Sequence, residues 1–207
     1  MSLTKTLGNL FFKWRSYTPI PLLIAMLFLA RPTLVTIIIG MAIAAAGELT
    51  RIWAVSYAGG STRTLTPGVG RLITGGPFGH VRNPLYVGNF LLSLGLLVAA
   101  WPSKWAFVIS DMIVVPWLLV VFLAAFALQY GFIVALEEDT LRTSLGQVFA
   151  DYCKTVPRWL PRLAPYADKF PAQGDFKAAV RSDRRSIQST GIVLLVLVVL
   201  YMVRLMR

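Results

Sequence analysis

The residues best equipped for chemistry lie in two short blocks separated by apolar sequence. The first is Thr74-Gly75-Gly76-Pro77-Phe78-Gly79-His80-Val81-Arg82-Asn83-Pro84-Leu85-Tyr86-Val87-Gly88-Asn89, which passes from a glycine-rich segment into an apolar run reaching residue 100. Glycine and proline favour a compact turn, and a turn with few side chains lets backbone N–H groups approach a ligand. If Pro84 opens a helix, its missing N–H costs nothing, and the N–H groups around it suit an anionic or zwitterionic ligand. Arg82, Asn83 and Tyr86 add polar side chains at the mouth of the run. The second block is Glu137-Glu138, adjacent acids after another long apolar segment. A carboxylate there either accepts hydrogen bonds from ligand donors or caps a solvated helix end. His80 is the only histidine and Cys153 the only cysteine. No intramolecular disulfide or cysteine-based metal cluster can therefore form, and no metal-ligand set is visible. For His80 a base and a loop-stabilising group are both open.

The two blocks together resemble the integral-membrane methyltransferase superfamily that includes isoprenylcysteine carboxyl methyltransferases and phospholipid N-methyltransferases. Its first block is Gly-Pro-(aromatic), then Arg-(His or Asn)-Pro-x-Tyr-x-Gly, matched by Gly76-Pro77-Phe78 and Arg82-Asn83-Pro84-Leu85-Tyr86-Val87-Gly88. Its second is Glu-Glu-x-x-Leu, Gly-x-x-(aromatic)-x-x-Tyr and Val-Pro-x-x-x-Pro, matched by Glu137, Glu138, Leu141, Gly146, Phe149, Tyr152, Val156, Pro157 and Pro161. The resemblance covers roughly residues 47–161. It implies an all-α polytopic membrane helix bundle with a cytosolic cofactor-binding loop and a C-terminal lid, and the apolar segments of the whole chain make five spanning helices the expectation. The implied activity is methyl transfer from S-adenosyl-L-methionine to a lipophilic membrane-associated acceptor. The implied cofactor pocket is Gly70, Arg71, Leu72, Ile73, Phe78, Asn83, Pro84, Leu85, Tyr86 and Glu137, with His80, Arg82 and Ile133 facing the substrate and no catalytic residue assigned.

Three departures bear on mechanism. Phe78 stands where tyrosine is frequent and Asn83 where histidine is frequent; a neutral amide donates hydrogen bonds but is no ordinary proton-accepting base. Ile133 lies four residues before Glu137, where the carboxyl methyltransferases place a substrate-contacting arginine. That change points to a membrane lipid or hydrophobic small molecule rather than a prenylated cysteine carboxylate. Two other classes compete. An NADPH-dependent membrane reductase shares an Arg-His-Pro-x-Tyr-like block, but usually has an acid after the following glycine, where this chain has Asn89. A non-enzymatic membrane scaffold or lipid-binding protein needs only the helices.

The elements that must position these residues are membrane helices. The mean hydropathy is +0.68, and the formal net charge of +11 comes from Arg and Lys placed mainly between apolar segments, a membrane-flanking pattern rather than a nucleic-acid surface. Residues 1–16 read as an interfacial helix or a lead-in to the membrane. Spans are expected over residues 17–30, 33–57, 85–100, 105–136 and 187–203, the second carrying Gly40 and Gly47, which permit close helix packing. For the fourth, Asp111 and Pro116 suggest a short hairpin, but one long helix kinked at Pro116 is preferred, because Arg82 and Glu137 can share a site only if the chain between them crosses an even number of times. Residues 1–161 form the methyltransferase-like core and 162–207 a basic connector with an additional transmembrane helix. Glu48 and Arg51 either neutralise one another at i,i+3 or line the cavity. Glu138 pairs with Arg142 at i,i+4, and Arg158 is an exposed interfacial charge. The basic segments put the site on the cytosolic side of a cytoplasmic or inner membrane. Bilayer lipids are the surroundings, and no obligatory protein partner is inferred.

Overall fold

The computed structural model describes residues 3–59, 72–110, 113–166 and 173–206; Gly70 and Arg71 of the expected pocket lie outside them. The described chain is an all-α membrane bundle of α1 (Leu3–Trp14), α2 (Pro19–Leu29), α3 (Leu34–Ala58), α4 (Pro84–Ala100), α5 (Trp117–Leu145), α6 (Gln147–Thr155) and α7 (Phe176–Leu205). A 3-10 turn, Gly76–Gly79, precedes α4, and an antiparallel hairpin of β1 (Ala106–Ser110) and β2 (Ile113–Pro116) precedes α5. By length and apolar composition α3, α5 and α7 can each cross a membrane, while α2 and α4 are shorter apolar helices.

The centre of the bundle is the contact between α3 and α4, and small residues make it. Gly40 and Gly47 of α3 sit directly against the α4 backbone at Gly95, Ala99, Gly88 and Leu92, so an added Cβ on any of the four glycines would strike main-chain atoms. In lipid, where burial of apolar surface does not favour one helix over a fatty acyl chain, such close approach supplies dispersion contact that larger residues would prevent. Thr33 starts α3 with a reciprocal cap, its side chain accepting from Thr36 N while the Thr36 side chain accepts from Thr33 N.

The N-terminal region is divided between two helices. α1 runs antiparallel to α5, with Lys5 near Asp139, Gly8 against Phe132 and Leu136, and Thr18 donating to Gln129 at 2.7 Å. Pro19 and Pro21 fit the first turn of α2, and Arg31 N then bonds Ala100 O at 2.8 Å. The helix expected from residue 17 therefore begins at Pro19, and residues 3–14 lie along α5 as the lead-in.

Two further boundaries differ from the sequence reading. Residues 106–110 and 113–116 pair as strands, with Phe107 opposite Val115 and Val108 opposite Val114, so the helix expected from residue 105 starts at Trp117. β-branched residues pack well in a paired strand, and Pro116 is tolerated at its edge. The 29 residues of α5 still rise about 43 Å, so the helix is longer than a hydrocarbon core of roughly 30 Å. α7 begins eleven positions before the expected span, at Phe176 rather than Ile187. Asp175 caps it by accepting from Ala178 N at 2.9 Å, and its charged first turns stay helical.

Candidate active site

The end of the bundle that holds the motifs is assembled from the turn before α4, the last turns of α5, α6 and the strap that follows α6. Gly76 has φ of 56°, and its missing side chain admits the Tyr57 ring. Three backbone bonds then tie the turn to the strap: Arg82 N to Pro157 O at 2.9 Å, Arg162 N to His80 O at 3.0 Å and Tyr166 N to Gly79 O at 2.8 Å. His80 Nδ1 adds a 2.8 Å contact to the Arg162 carbonyl. That oxygen only accepts, so Nδ1 carries the proton, and the ring acts here as a stitch between turn and strap. Tyr152 of α6 donates to the Phe78 carbonyl at 2.6 Å, and Phe149, Tyr152 and Val156 are buried together with half-buried Leu72 and Tyr166 packed on them. Burial raises the Tyr152 phenol well above its ordinary range.

Glu138 is the electrostatic fastener. Arg158 reaches it with two donors, Nε to Oε1 at 3.1 Å and Nη2 to Oε2 at 2.5 Å, while Arg82 Nε lies 3.3 Å from Oε1. The expected Arg142 partner is replaced because a forked guanidinium on the strap meets both carboxylate oxygens at once. Arg158 has the exposure expected of an interfacial charge, its side chain being 43% exposed, and it is a clamp as well; hydrogen bonding to Glu138 raises its pKa. Arg82 Nη1 also donates to Cys153 O at 3.3 Å, and Asn83 Nδ2 to Arg158 O at 3.1 Å. Asn83 makes no side-chain cap for α4, whose first turn opens with buried Pro84 and half-buried Leu85.

Below this clamp Tyr86 Oη donates to Glu137 Oε1 at 2.7 Å. The Tyr86 ring lies 4.8 Å from that of Tyr130, which in turn lies 4.2 Å from Phe126. Asn89 Nδ2 donates to Tyr130 Oη at 3.3 Å, and Asn89 Oδ1 accepts from Arg51 Nη1. Arg51 Nη2 donates to Asp183 Oδ1 of α7 at 2.8 Å. Arg51 hydrogen-bonds Asp183 and Asn89, while Glu48 accepts from Ser186 Oγ at 3.0 Å and is still attracted by the Arg51 charge. Ile133 is fully buried among Phe12, Tyr130 and Leu136. Ile73 is half-buried next to the turn.

The fold thus gathers Phe78, His80, Arg82 and Asn83 under the strap and joins Tyr86 to Glu137. It sets Leu72 on the α6 cluster and Ile133 in the packing beneath Tyr130. The sequence reading missed Tyr130 and Asp183. Tyr130 carried a usable signal, since it precedes Glu137 by two helical turns and so shares its face.

A family model described as phospholipid methyltransferase matches residues 35–147, more than half of the 207-residue chain. The chain belongs to this family. The match runs from α3 through the turn and α4 to the end of α5, and so includes Arg82, Asn83, Tyr86, Glu137 and Glu138. The chain is 31% identical over 136 residues to the cobalt-zinc-cadmium resistance protein CzcN of Cupriavidus metallidurans, which covers 65% of this chain and 52% of that protein. It is 28% identical over 126 residues to the nickel-cobalt-cadmium resistance protein NccN of Alcaligenes xylosoxydans xylosoxydans, covering 61% and 50%. The chain spans about half the length of these curated relatives. No solved structure matches it.

Proposed function

We infer that this membrane methyltransferase-family protein transfers a methyl group from S-adenosylmethionine to a lipophilic acceptor that enters from the bilayer. The observation that carries the reading is the Tyr86–Glu137 hydrogen bond, which joins the two family blocks at one place beneath the clamped strap. The donor set fits the cofactor. The Glu137 carboxylate accepts hydrogen bonds from amino or hydroxyl groups, and Tyr86 orients it. Phe78 and Leu72 give the region apolar surface.

When bound, the sulfonium supplies a strongly activated methyl group, so the chemistry requires alignment more than a covalent enzyme intermediate. Tyr86 and Glu137 hold position, and the strap pinned by Glu138 and Arg158 excludes water from that place. The acceptor is a membrane lipid or hydrophobic small molecule. Where the resemblance would set a carboxylate-binding arginine, Ile133 is buried among apolar and aromatic neighbours. The site end faces the cytosol, in keeping with the Arg and Lys residues of the strap and the start of α7.

Full-length protein in nanodiscs should bind S-adenosylhomocysteine and not NADPH, and Glu137→Gln should weaken that binding by about 1.5 to 3 kcal/mol, the usual worth of a charged hydrogen bond. Undiminished binding in a folded Glu137→Gln protein removes Glu137 from the pocket. For the acceptor, labelled S-adenosylmethionine is supplied with native lipids and separately with a prenylcysteine analogue. Label confined to the analogue as a methyl ester sinks the lipid assignment while leaving methyl transfer intact.

A further inference from the structure

A polar chain crosses the bundle beneath the site and begins on a helix outside the family match. Asp183 of α7 has a side chain only 3% exposed and accepts from Arg51 Nη2. The other arm of the same guanidinium donates to Asn89 Oδ1. With its oxygen held by a cation, the Asn89 amide turns its nitrogen the other way, and Nδ2 donates to Tyr130 Oη. Polarity is the important consequence. Tyr130 is made an acceptor by Asn89, so its own hydroxyl hydrogen is directed elsewhere; with the amide reversed, that hydrogen would be spent on Asn89. Tyr130 is 9% exposed and its ring lies against Tyr86, whose hydroxyl is already committed to Glu137.

Cohesion alone gives little reason for an ion pair between α3 and α7, because well-packed apolar side chains commonly hold such an interface as well or better. A fixed direction of hydrogen bonding does give a reason. We propose that Asp183, acting through Arg51 and Asn89, is a positioning residue for the cofactor site: it orients the Asn89 amide so that Tyr130 presents an O–H donor to an anionic oxygen of the bound cofactor. This makes α7 part of the working unit, and it rests on the methyltransferase reading of Tyr86 and Glu137.

The test is S-adenosylhomocysteine titration by calorimetry of the full chain in nanodiscs, using Tyr130→Phe, the double variant Arg51→Met/Asp183→Leu, and the triple combination. The double variant removes both charges of the ion pair together and leaves the buried Glu48 behind, so thermal unfolding is measured beside each titration to show that the helices stay packed. Tyr130→Phe and the double variant should each weaken binding about tenfold, the effect of one directed hydrogen bond, and the triple variant should be no weaker than either. Asp183→Asn and Asp183→Glu, each with and without Tyr130→Phe, read the same coupling with less change of shape; the glutamate should recover binding and the asparagine should not. Wild-type affinity in the folded double variant overturns the proposal, as does a triple variant in which the two losses multiply to about a hundredfold. Absence of binding by the wild-type protein overturns the methyltransferase reading as well, which separates the two failures.

Discussion

The two ends of the bundle are held by different physics. At the site end, side chains on separate elements bond one another: Glu138 to Arg158 and Arg82, Tyr86 to Glu137, and Arg51 to Asp183. At the far end, Met26, Ala30, Leu97, Ala100, Leu118, Phe122 and Leu197 are buried together. There the described hydrogen bonds between elements run to backbone carbonyls, as from Arg31 N to Ala100 O and from Arg204 Nη2 to Ala30 O. Apolar packing is broadly tolerant of shape, whereas directional polar contacts fix angles. The far end therefore works as a frame and the site end as a gauge.

This contrast is most readily broken at Glu138. Glu138→Ala leaves Arg82 and Arg158 without their shared carboxylate and should cost about 3 kcal/mol. Limited proteolysis should then cut the strap well below the temperature at which the helices unfold; an unchanged strap would show that the backbone ladder alone retains it. The frame is probed by Gly95→Ala, whose new Cβ meets the backbone of Gly40 and Ala44. Thermal unfolding in detergent should report a loss of about 2 kcal/mol from overpacking, with cofactor affinity per folded molecule little changed.

A smaller effect sharpens the role of the buried α6 cluster. Tyr152→Phe removes the bond to the Phe78 carbonyl and should cost about 1 kcal/mol. The folded-state phenol is raised above its ordinary value of 10.0 by burial. Its contribution is therefore complete below pH 10 and is lost as the pH climbs toward the folded-state value. An alkaline titration of stability should show a smaller loss in Tyr152→Phe than in wild type. The smallest effect belongs to Lys5 and Asp139, whose side chains are 51% and 49% exposed. Lys5→Ala should change stability by less than about 0.5 kcal/mol, and added salt should erase the difference.

Much of this arrangement was legible in the residues. Gly40 and Gly47 announced a close helix contact, because only small side chains permit it. The family motifs brought Tyr86 and Glu137 toward one place, and the two side chains are hydrogen-bonded. What escaped was governed by partners distant in sequence. Local spacing offered Arg142 to Glu138 and Glu48 to Arg51, whereas the fold supplies Arg158 and Asp183 from elsewhere in the chain. The paired strands escaped for another reason: Val108, Val114 and Val115 raise hydropathy equally in a helix or a strand, so an apolar run of that length does not reveal its period.

The shortness of α2 has a consequence for how the protein is built. Its 11 residues rise about 16 Å, roughly half the thickness of a bilayer core. Leaving the translocation machinery alone, it would have neither the length nor the neighbours to settle across the membrane. Met26 and Ala30 are covered by residues of α4, α5 and α7, and the carbonyl of Ala30 receives Arg204. This short apolar helix is thus covered by a helix well over a hundred residues later in the chain, so truncation within α7 is expected to uncover α2 as well as to remove α7 itself.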